Sequence, residues 1–139
     1  MKKEEKRYTV TMTESQLRLV SNAVEDFHRF LAGQCEMNNA TSLIEDVHSA
    51  RENLDTFVRP YIVPQLRNGA SYKWSGEGCP NKHQKRAIAM SYMIYREIIH
   101  FFTVNSPKKM DWSVYRGETL RCEEQGPMIV IREADKDDK

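Results

Sequence analysis

The sequence is short of the features that announce a particular chemistry. No apolar run approaches the roughly 18 residues that a membrane-spanning helix needs. The phosphate-cradling patterns GxxxxGK(S/T) and GxGxxG are absent, as are HExxH and GxSxG. Charge of one sign is missing too: 21 Lys and Arg against 20 Asp and Glu leave a net charge of +1. That balance offers no global basicity for duplex DNA and no acidity to mimic it. Cysteine is scarce, and Cys35, Cys79 and Cys122 form an odd, widely spaced set. The opening MKKEEKRYTV is charged and then alternates, unlike a secretory signal peptide. These features lead to an expectation of reduced thiols and a cytoplasmic location. There is no internal repeat and no low-complexity segment.

A length of 139 residues suits one domain with a core of its own. Residues 7–12, RYTVTM, alternate as a short strand would, with Tyr8, Val10 and Met12 on one side. Thr13 and Gln16 form a capping-box pattern. Leu17, Val20, Val24, Phe27 and Leu31 then recur at helical spacing, and Gly33 closes a helix over about 14–32. A second stripe, Leu43, Val47, Ala50, Leu54 and Phe57, predicts a helix from Ser42 to Pro60. Residues 59–81, rich in proline and glycine, read as a long loop with room for a helical turn at 61–67. A third helix, 81–103, contains AIAMSYMIYREIIHFF, apolar on nearly all sides; such a helix is central or lies in an oligomer interface. Segments 112–116, 119–123 and 128–132 read as strands, with turns at Gly117-Glu118 and Gln125-Gly126. The expected fold class is α+β, about three helices packed with a small antiparallel β-sheet, with residues 1–6 and 134–139 as frayed ends.

Catalytic and metal chemistry have little support. Cys79 and His83 have a C-x3-H spacing, but a zinc site needs three or four ligands and the other candidates are scattered. The plainer reading is a loop cysteine ahead of a helix start. Glu25-Asp26 and Glu45-Asp46 are adjacent acids that do not share a helix face. No metal and no cofactor is expected, and no enzyme. Cationic side chains among aromatics are more informative: Arg29 beside Phe27 and Phe30, Arg67 before Asn68-Gly69, Arg96 after Tyr95, and Arg116 and Arg121 in the expected hairpin. Guanidinium forks match phosphate, and aromatic faces stack on bases. Singly, each arginine is more often a solvated surface residue, and Arg29 has Glu25 at ion-pair spacing. Tyr92 and Tyr95 suit a core, with hydroxyls that also fit a pocket rim. Asn105, past the third helix, can cap it or reach a ligand.

The pattern Asp26-Phe27-His28-Arg29 through Gly33-Gln34, with the preceding strand-like segment and the long apolar helix, resembles the phage-encoded Thoeris anti-defence proteins of the first-described type. The nine-residue D-x-x-R-x-x-x-G-Q match is its most specific part. The resemblance implies a sponge: a homo-oligomer, dimer or hexamer, that sequesters cyclic nucleotide immune signals in the host cytoplasm without degrading them. Glycocyclic ADP-ribose and, in some members, cyclic trinucleotides are the ligands it implies. It assigns Tyr95 to stacking on adenine, Asn105 to the loop of that pocket, Arg121 to phosphate, and Arg29 and Arg67 to phosphates. The sequence departs from the family in carrying tyrosine where phenylalanine is expected and in its longer central loop. Two rival readings remain. One is a protein–protein inhibitor or adaptor. The other is a nucleic-acid-binding module using NKHQKR (81–86) with Lys108 and Lys109, although neither nucleic acid nor membrane is the expected partner.

Overall fold

The computed structural model describes residues 5–66, 69–106 and 113–136. Two long helices dominate, α1 (Glu14–Ala32) and α5 (Lys82–Val104). Both ends of α1 are set by local chemistry. The Thr13 hydroxyl accepts the Gln16 amide at 3.2 Å, and the Gln16 side chain accepts the Thr13 amide at 2.9 Å. These bonds satisfy two of the donors that a helix start leaves open. At the other end Gly33 adopts φ 102°, and its amide donates to the Phe30 carbonyl at 3.1 Å.

That turn anchors the central loop. The Arg59 guanidinium donates to the Gly33 carbonyl at 2.9 Å and also to the Ala70 carbonyl. The Tyr72 amide donates to the Ala32 carbonyl at 2.8 Å. Ala32, Val63, Tyr72, Cys79 and Ile88 form a buried cluster beside it, with Leu31, Ile62 and Leu66 packed around.

Helix α5 starts at Asn81, whose side chain accepts the Gln84 amide at 3.0 Å. It runs antiparallel to α1: Gln84 donates to the Leu31 carbonyl at 2.9 Å, while Arg18 lies over the Phe102 ring at 4.1 Å. Ile88, Ala89, Ser91, Tyr92, Met93, Tyr95 and Ile98 are all buried, so its apolar sides are used inside the chain as a central helix.

The expected second helix is broken into pieces. Helix α2 (Asn38–Thr41) precedes α3 (Val47–Asn53), a π-helical turn (Leu54–Val58) and α4 (Arg59–Ile62). The Asp26 carboxylate, far away in sequence, accepts the amides of Asn39 at 3.0 Å and Ala40 at 2.7 Å and starts α2 early. Asp46 then accepts the Ser49 amide at 3.1 Å and starts α3 late. Pro60 does not end the path, because the wider π turn ahead of it accommodates a ring without an N–H.

The expectation of an α+β fold is wrong: the fold is helical, and the described residues contain no strand and no sheet. Ser113–Arg116 forms the short helix α6, and Glu123–Gln125 a 3-10 turn. The Gln125 side chain is buried, donates to the Leu120 carbonyl at 3.0 Å and accepts the Cys122 amide at 3.0 Å. It thus supplies to the backbone what a hairpin partner would have supplied. Residues 7–12 and 128–132 have no regular secondary structure, and they meet where Arg7 donates to the Met128 carbonyl at 3.0 Å. Alternation alone cannot make a strand without a partner.

A Cβ placed on Gly33 would stand 2.5 Å from Val63 Cγ1 on a backbone that L side chains avoid. Gly33→Ala should therefore cost roughly 2–4 kcal/mol, adding backbone strain to overpacking. Urea denaturation measures it, and a loss below about 0.5 kcal/mol would show that the α1 turn is not the anchor described.

Candidate functional site

The sequence-selected residues do not converge. Arg29 is committed within its own helix end: Nε and a terminal nitrogen donate to Glu25 at 3.3 Å, and the other terminal nitrogen donates to Gln34 at 2.7 Å. The whole D-x-x-R-x-x-x-G-Q pattern has such internal roles. Asp26 caps α2, Arg29 joins Glu25 to Gln34, and Gly33 turns the chain. Phe27, which the periodicity assigns to the core, is 51% exposed, and the adjacent His28 faces α5 instead.

Tyr92 and Tyr95 are buried. Their rings lie 5.6 and 5.5 Å from the His28 ring, and Trp74 packs on Tyr92 at 4.9 Å. Tyr95 is only 5% exposed, so the monomer offers no open face there for a base. Burial pushes its hydroxyl up to about 12. Asn105 caps α5 by donating to the Phe101 carbonyl at 2.7 Å. Arg116, on α6, and Arg121 are exposed; no hairpin holds them together. Arg67 lies outside the described residues, as do Lys108 and Lys109. Among the described residues no group of three His, Cys, Asp or Glu is placed to hold a metal ion, Cys79 and His83 included. No helix described is long and apolar enough to cross a membrane.

A different site lies between the helices. A groove of about 1160 Å³ runs along Glu14, Leu17, Arg18, Ser21, Asn22 and Glu25 of α1. Asn39 of α2 and residues around the end of α5, including Ile99, Phe101, Phe102 and Asn105, form further lining, with Tyr115. The segments before α1 and near the end of the chain close it, with Met12 and Thr13 on one and Ile131, Arg132 and Glu133 on the other. Of the sequence-selected site residues that are described, Asn105 alone lines it.

Its chemistry is mixed. The Arg18 guanidinium covers the Phe102 ring and pairs with Glu14 at 3.1 Å, both charged side chains being largely exposed. Glu25 is more enclosed. One oxygen takes Arg29 at 3.3 Å and the other accepts the Asn39 amide group at 2.9 Å. Between them sits Ser21. Its hydroxyl is the one buried side-chain polar atom among the described residues without a hydrogen-bond partner. Buried hydroxyls are ordinarily satisfied, so an orphan lining a cavity points to an absent partner. Sequence could have flagged it, because Leu17, Ser21, Val24 and His28 share a helix face by spacing.

Two imidazoles near the helix crossing are engaged. His28 Nδ1 donates to the Ile88 carbonyl at 2.7 Å, which fixes the neutral tautomer; His100 Nδ1 donates to the Tyr115 carbonyl at 2.8 Å. No histidine or cysteine lines the groove. Comparisons with protein-family models, with curated proteins and with solved structures find no match for this chain.

Burial lowers the pKa of His28 to about 4 from 6.5, opposed by the Ile88 carbonyl and aided by Arg29. Above pH 6.5 both folded and unfolded chains keep this imidazole neutral. Between 6.5 and about 4 the unfolded chain takes up a proton that the folded chain refuses. Stability should fall with pH across that window, by roughly 3 kcal/mol in total from this residue. Denaturation of the wild type and of His28→Gln at pH 7 and 4.5 isolates the effect as the difference between their pH slopes. Equal slopes would contradict the assignment.

Proposed function

We propose that this chain is a non-catalytic binding protein for a cyclic nucleotide immune signal, which it holds in the α1–α5 groove. The observation that carries the reading is the Ser21 hydroxyl, unpartnered on the wall of a cavity that also carries an arginine stacked on a phenylalanine ring. A nucleotide has a matching part for each element: an aromatic base, neutral hydroxyls and an anion. The resemblance of the α1 end to the anti-Thoeris sponges supplies the class of nucleotide, glycocyclic ADP-ribose or a cyclic trinucleotide. The site is not the one that the resemblance assigned to Tyr95 and Arg121.

Two features support sequestration over turnover. Two of the groove carboxylates, Glu14 and Glu25, are already paired with arginines, and the Ser21 hydroxyl is hydrogen-bonded to no base. Nucleophilic catalysis would need that base.

Self-association belongs to the same proposal. Tyr8, Val10, Leu43, Phe57, Tyr61 and Val130 are each more than two-thirds exposed. Those same side chains favour a second reading, in which the chain is an adaptor or inhibitor that docks on another protein. That reading requires no small ligand.

Calorimetry against glycocyclic ADP-ribose and a set of cyclic oligonucleotides should find a binder with a shallow dependence on salt. Heat denaturation should return the ligand chemically unchanged. Phe102→Ala should weaken binding by roughly tenfold or more, from lost stacking. Sedimentation should give a mass of at least two chains. Recovery of a linearised ligand would make the protein an enzyme, and silence across the whole set would favour the adaptor.

A further inference from the structure

We infer that the groove is polarised along α1, with Arg18 taking the anionic end of the ligand and Ser21 reading a neutral hydrogen-bonding group at the other. The inference rests on the nucleotide reading above and adds an orientation and a specificity-determining residue.

Arg18, Ser21, Asn22 and Glu25 follow one another along a single face of α1. At 1.5 Å per residue, Arg18 and Glu25 are about 10 Å apart along the axis, a span suited to a nucleoside with its phosphate. The Arg18 end is open to an anion. Its pairing with Glu14 is exposed, and exposed pairs are weak enough to exchange. Its guanidinium carbon lies 4.1 Å from the centre of the Phe102 ring, and a guanidinium has N–H groups enough to serve an anion as well. The Glu25 end is closed to an anion. Its carboxylate is mostly buried, and the cation it faces, Arg29, is already engaged by Glu25 and Gln34. Asn39 is spent as well, donating to Glu25 and to the Asn22 carbonyl at 3.2 Å. Phosphate there would meet an acid.

Ser21 is placed between the two ends. It is 4% exposed, and its hydroxyl has no hydrogen-bond partner among the described residues. A neutral polar ligand group that reaches this buried hydroxyl would find its hydrogen-bonding capacity unused. A ribose hydroxyl and the edge of a base share that chemistry.

Titration of the full-length protein with AMP, adenosine and ribose 5-phosphate tests this. Ser21→Ala should weaken AMP and adenosine by a similar factor, roughly fivefold to tenfold. It should not lower the melting temperature, since no intramolecular hydrogen bond is lost. Arg18→Gln should weaken AMP much more than adenosine. If ribose 5-phosphate shares the Ser21 sensitivity, a ribose hydroxyl is the group read; if it lacks it, a base edge is. The inference is overturned if Ser21→Ala leaves AMP and adenosine affinities unchanged, or weakens AMP alone. Failure of wild-type protein to bind any of the three overturns the inference, and the nucleotide reading falls with it only if the cyclic nucleotides also fail to bind.

Discussion

A neutral imidazole at the crossing of α1 and α5 sets the register on which the molecule depends. His28 donates to the Ile88 carbonyl, and the rings of Tyr92 and Tyr95 enclose it. A cation would be poorly solvated there, and this burial outweighs the pull of the Ile88 carbonyl towards the protonated form, so the ring is held neutral. With that point fixed, the antiparallel helices bring Gln84 to the C-terminal carbonyls of α1 at one end. At the other they bring Arg18 onto Phe102. On the first side the pair closes into the cluster around Val63 and Ile88. On the second, apolar packing gives way to Ser21, Asn22 and Glu25, and a groove is left. Core and cavity thus follow from one helix pairing.

The long helices were legible because their stop and start signals are local. Thr13 with Gln16, Gly33, and Asn81 each act within a few residues of the ends they set. The middle of the chain was not legible because its decisive cap is remote: Asp26 reaches across to α2, and no pattern within 38–46 discloses that. The sheet failed for the same physical reason in reverse. Residues 7–12 and 128–132 have the alternation of strands, but strands need partners, and Gln125 satisfies the intervening backbone from its side chain.

The site was harder still. Arginine beside aromatics is a pattern in sequence, whereas a binding group is defined by what its neighbours leave unsatisfied. Arg29 was the natural choice and is consumed by Glu25 and Gln34, the ion-pair alternative that helical spacing allows. Tyr92 and Tyr95 carry core packing. The spacing of Ser21 with Leu17, Val24 and His28 places it on the inward face, but a serine on an apolar stripe normally bonds back to its own helix. Its lack of any partner is visible only in three dimensions.

Mapping amide chemical shifts of the labelled protein during titration with a binding cyclic nucleotide tests the central claim most directly. The account expects the largest perturbations at Arg18, Ser21, Asn22, Phe102 and Arg132, around the groove, with Arg116 and Arg121 little moved. Perturbations centred instead on Arg116 and Arg121, with Ser21 and Phe102 unchanged, would contradict it.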